Sequence, residues 1–237
     1  MYINSEKITQ IVIRTLDKPV SYDLFENFIR KSPFIRQIAF IGKGIFDSPD
    51  FTKILDLCRL KSIALIFGEM ARNVPIEIVD AMVRAGNIIA VNIHDGDPNI
   101  NNMIELKNKY QMPVPEVNAI IQTEPRTPQD SLSESSYAFY NLADDKNNIP
   151  CWNLLYEPMI EFDGSLLGCW ANPDKKHPIN AFELGMESAL NKSPFINMIK
   201  MLKSGKINTK CPCARCPVFA SLVWDNSTID IYTRTQK

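Results

Sequence analysis

Short apolar runs and amphipathic stretches alternate through the first half of the chain. Residues 8–16 (ITQIVIRTL), 35–42 (IRQIAFIG), 62–68 (SIALIFG), 87–93 (NIIAVNI) and 116–122 (EVNAIIQ) are dominated by β-branched and other apolar residues. Between them, apolar residues recur at helical spacing. Leu24, Phe25, Phe28 and Ile29 follow a candidate cap at Ser21. Phe51, Ile54, Leu55 and Cys58 share one face of residues 50–60. Residues 75–85 (PIEIVDAMVRA) place Pro75 in the tolerated first turn and Gly86 as the stop, and residues 101–111 complete the set. Strands apolar along their whole length are buried on both faces, as in a parallel sheet. Five βα units of roughly 25 to 30 residues fit a right-handed βαβ array, either a partial barrel or a doubly wound sheet. A closed eight-unit barrel needs ~250 residues, and residues 1–125 are too few for one. No G-x-G-x-x-G follows the first run and no G-x-x-x-x-G-K-[ST] occurs, so nucleotide binding through a glycine fingerprint is unsupported.

The pattern changes after residue 125. Residues 126–150 are polar and proline-flanked and read as a connector, with a helix expected over 131–143. Residues 158–170 (PMIEFDGSLLGCW) read as a β-hairpin turning at Asp163-Gly164. Residues 181–203 read as two helical pieces, the second starting near Ser193-Pro194. His177 falls in an expected loop.

Composition adds exclusions. With 26 Lys+Arg against 27 Asp+Glu in 237 residues the formal net charge is −1, which argues against a general nucleic-acid binder. No run of ~18 apolar residues exists, so no membrane partner is expected. The start, MYINSEKITQ, lacks a secretory pattern, so a cytoplasmic location is expected. Its cysteines are then thiols or metal ligands, not disulfides.

Those cysteines carry the candidate chemistry. Of six, Cys58 alone lies in the first 150 residues, on an apolar helix face where a core role is expected. The others are Cys151, Cys169, Cys211, Cys213 and Cys216. The hairpin can return Cys169 towards Cys151, and Cys213-Ala-Arg-Cys216 can direct two sulfurs at one metal. Four thiolates select zinc or an iron–sulfur cluster. A redox dithiol at the C-x-x-C and cysteines buried as small apolar residues are the competing readings. His94, ending an apolar strand in NIHDGD, reads as a structural or polar-site residue, not a ligand. Residues 151–217 hold few continuous apolar elements, so metal is expected to contribute folding energy there.

Cys151, then Gly164 to Cys169 (G-x-x-x-x-C), a helical stretch and Cys213 to Cys216 resemble the twitch or SPASM auxiliary-cluster domain of radical S-adenosylmethionine enzymes. The resemblance covers residues 151–217 and is closer to the shorter, four-cysteine twitch form. It implies an α/β architecture: a partial (βα) barrel of about five parallel strands over 1–125, then a small cysteine-rich α+β domain over 151–237. It also implies one 4Fe–4S cluster on Cys151, Cys169, Cys213 and Cys216, with zinc as the alternative and Cys211 able to replace Cys213.

One departure matters most. The family's radical chemistry needs C-x-x-x-C-x-x-C after the first strand, but here DKPVS leads straight into a helix. Gly42-Lys43-Gly44 also lacks the glutamate of the family's G-G-E. S-adenosylmethionine is therefore not expected as a cofactor. The expected function is that of an iron–sulfur protein acting in electron transfer or as an accessory subunit, with a protein partner or a peptide substrate. The alternatives are a radical-type enzyme acting on a peptide or small molecule, and a binding scaffold with a structural zinc site.

Overall fold

The structure, a computed structural model, describes residues 9–120, 158–168, 177–192 and 196–197. Five parallel strands follow one another in space as in sequence: β1 (Gln10–Leu16), β2 (Gln37–Gly42), β3 (Ala64–Phe67), β4 (Ile88–His94) and β5 (Glu116–Ile120). Four helices connect them: α1 (Tyr22–Lys31), α2 (Phe51–Leu60), α3 (Ile76–Ala85) and α4 (Asn99–Tyr110). Because the strand order never reverses, right-handed crossovers put every helix on the same face. One apolar cluster confirms this. Ile11, Ile13, Ile38, Phe40, Leu65, Phe67, Val91 and Ile93 point from the sheet into it, and Phe25, Phe28, Ile54, Cys58, Val79, Met82 and Met103 meet them from the helices. The doubly wound alternative, with helices on both faces, is thereby excluded for these units.

Element boundaries agree with the periodicity to within two residues, with local differences. Pro75 is the N-cap of α3, not its first turn, and Gly86 ends that helix at φ 70°. Helix α4 begins at Asn99, two residues before the expected start. Leu24 is 40% exposed, so the buried face of α1 is Phe25, Phe28 and Ile29.

The hairpin is formed by β6 (Met159–Glu161) and β7 (Ser165–Gly168). Gly164 turns at φ 86°, and the Asp163 carboxylate accepts from the Ser165 N–H at 2.9 Å. The hairpin continues the main sheet: β6 pairs in parallel with β1, with Val12 opposite Met159, Ile13 opposite Ile160 and Arg14 opposite Glu161. Strand β8 (His177–Asn180) adds to β7, giving the order β5-β4-β3-β2-β1-β6-β7-β8. His177 thus opens a strand where a loop was expected.

Helices α5 (Ala181–Leu184) and α6 (Met186–Lys192) follow, separated at Gly185, which adopts φ 80°. The expected single piece breaks because this backbone meets α1: a Cβ on Gly185 would lie 2.7 Å from the Lys31 carbonyl oxygen. Phe182 fills the adjoining space, its ring 5.3 Å from that of Phe28 and 6.5 Å, edge-on, from that of Phe25.

Candidate functional site

In open sheets of βα units, ligands bind beyond the carboxyl ends of the strands, because the connecting loops gather there. At β1 and β2 that end is filled by backbone. The connection from β1 to α1 is Asp17-Lys18-Pro19-Val20-Ser21, five residues without a cysteine. Thr15, fully buried, donates its hydroxyl to the Gly42 carbonyl at 2.9 Å, and Ser48 donates to the Val20 carbonyl at 3.0 Å. The Gly42-Lys43-Gly44 turn rests directly on this connection. A Cβ on Gly42 would stand 2.6 Å from the Leu16 Cα, and one on Gly44 2.7 Å from the Lys18 carbonyl carbon. Both glycines are needed for that approach. Leu16 itself leaves β1 in the left-handed region, at φ 42°, a conformation that costs a non-glycine residue about 1–3 kcal/mol.

At β3 to β5 the same end carries a polar row. Asn92 and His94 lie two apart on β4 and so share the face opposite the helices. Asn118 of β5 is paired with Asn92. The Asn92 amide donates to the Gly68 carbonyl at 3.1 Å, and the Asn118 amide donates to Asn92 Oδ1 at 3.2 Å. Glu69, just past β3, accepts from His94 Nε2 at 2.9 Å. A carboxylate only accepts, so His94 carries its proton on Nε2 when neutral. Its Nδ1 is buried and has no hydrogen-bond partner among the described residues. The Met70 N–H donates to the Asn92 carbonyl at 2.9 Å. Glu69 therefore sits between two residues bonded to Asn92.

A third polar feature lies where the hairpin joins the sheet. Glu161 is 1% exposed, and Arg14 donates Nε to its Oε1 at 2.8 Å and Nη2 to the same oxygen. The pair lies on the face opposite the helices with Val12, Met159, Leu167 and Ala39.

The expected metal ligands Cys151, Cys169, Cys213 and Cys216, and Cys211 with them, lie outside the described residues. The described hairpin fixes the chain next to one of them: β7 ends at Gly168, paired with Met159, and Cys169 is the next residue. Met159 is level with Val12, near the N-terminal end of β1. Gly168 therefore lies at the end of the sheet opposite the polar row. Cys58 is wholly buried, as its helix position predicts, and burial pushes its thiol pKa up to about 12, which keeps it protonated and inert. Among the described residues no group of three or more His, Cys, Asp or Glu is arranged to hold a metal ion, and no helix is long and apolar enough to cross a membrane.

Sequence reading missed Glu69, Asn92 and Asn118 as a group and missed the Arg14–Glu161 pair. The signals were present. Glu69 and His94 each stand at the exit of an apolar strand, and Arg14 and Glu161 are lone opposite charges inside apolar runs.

No family model matches the chain, and no curated protein matches it. Solved structures do. BtrN in an open conformation shares 12% identity over 83% of this chain and 87% of its own, with a TM-score of 0.52. BtrN in complex with AdoMet and 2-DOIA shares 11% identity over 83% and 88%, with a TM-score of 0.54. Streptococcus suis SuiB bound to precursor peptide SuiA is a looser likeness, with 10% identity over 90% and 71% and a TM-score of 0.48. The likeness to BtrN, a radical S-adenosylmethionine enzyme, shows at this identity the fold alone: the chain has a radical-SAM-like α/β fold built on one mostly parallel eight-stranded sheet.

Proposed function

We propose that this chain is an iron–sulfur protein on a radical-SAM-like scaffold. In this reading it does not cleave S-adenosylmethionine and serves as an electron-transfer or accessory subunit for a protein or peptide partner. The observation that carries the reading is the filled end of β1 and β2. A radical cluster needs three cysteines on a loop after the first strand, and the connection here is five residues without a thiol. The Gly42-Lys43-Gly44 turn offers no glutamate, and its backbone lies against Leu16 and Lys18. These residues do not fit that cofactor.

The second-half cysteines fit a cluster by their chemistry: four thiolates from Cys151, Cys169, Cys213 and Cys216 suit iron–sulfur or zinc ligation. A 4Fe–4S cluster held by four thiolates supplies one-electron storage and has no open coordination position for a substrate. The hairpin supports the assignment, because its register ties the residue before Cys169 to a strand anchored on β1.

The test is iron and acid-labile sulfide in anaerobically purified protein. The wild-type chain and Cys58→Ala should retain the cluster, with its brown visible absorbance, and Cys169→Ala should lose both. Equal iron in the two variants contradicts the ligand assignment. Zinc in place of iron turns the reading to a structural zinc scaffold.

A further inference from the structure

We draw no further inference here: the strongest candidate, the half-buried sheet face opposite the helices where Ala39, Ile66 and Ala90 lie side by side on β2 to β4, carries nothing, because nothing in the structure shows what covers it.

Discussion

The strands up to residue 120 and the short strands after residue 158 belong to one sheet, but they are held there differently. In the first region four helices connect five strands, and the apolar runs of β1 to β4 each meet a helix and the next strand. The second region has strands of only three or four residues, which alone form no stable sheet. They are ordered by what the first region offers: the free edge of β1, the carboxylate-binding Arg14 and the aromatic surface of α1. Asn27 donates to the Phe182 carbonyl at 2.6 Å, and the Met186 N–H donates to the Ser32 hydroxyl at 3.0 Å. Ile160, Leu166, Phe182, Met186 and Leu190 enter the same apolar cluster as the βα units. The hairpin segment is therefore part of the same core as the βα units, whatever the cysteines bind.

This contrast can be broken most sharply at Phe182. Phe182→Ala should cost about 3–5 kcal/mol, as for a buried aromatic, and should lower a single urea-unfolding transition of the whole chain. A separate early transition that leaves the βα units unaffected would show the two regions to be independent. Arg14→Ala should cost about 3 kcal/mol, because it strands the buried Glu161 charge. The replacement of both residues by apolar ones should recover most of that loss, and failure to recover it would mean the pair does more than fix β6 on β1. Gly44→Ala should cost about 1–3 kcal/mol through overpacking against Lys18, read as a shift in urea midpoint; a neutral result would show that the turn can lift away from the β1–α1 connection. Metal chelation should leave hydrogen-exchange protection at Ile160 and Leu166 unchanged, since apolar packing already holds them. That modifies the expectation that metal supports this whole half.

The smallest effect belongs to the first region alone. The Tyr110 hydroxyl, at 2.6 Å, and Arg84 hold the Asp80 carboxyl below its ordinary value. A depressed folded-state value means that this contribution is present above the ordinary carboxylate range and is lost as pH falls through the folded value. Asp80→Asn should remove that acid-side dependence from the urea midpoint without altering the hairpin's exchange.

What the sequence made legible follows the same division. The five apolar runs and four helices were readable because each unit's pattern is local: Gly86 stops α3 where it stands, and Ile54 and Cys58 face inward by spacing. The hairpin was readable at Asp163-Gly164 for the same reason. The parallel pairing of β6 with β1 was not, since residues 147 positions apart set it through Arg14 and Glu161. Strand β8 was hidden because four residues including Pro178 show no alternation. The break at Gly185 depends on the approach of Lys31, and a lone glycine in a helical pattern does not by itself demand a break. The polar row was missed as a group because its members stand on three strands: Glu69 and His94 each mark a strand exit, but only hydrogen bonding joins them to each other and Asn118 to Asn92.

The central claim is that this scaffold has the fold without the cleavage chemistry. The direct measurement is 5′-deoxyadenosine formed when reduced, iron-reconstituted protein is incubated with S-adenosylmethionine under anaerobic conditions. The account predicts no more than a no-protein control yields. Formation well above that control, lost in Cys151→Ala, would contradict it, and would mean that the second-half cysteines perform the task for which the β1–α1 connection has no thiol.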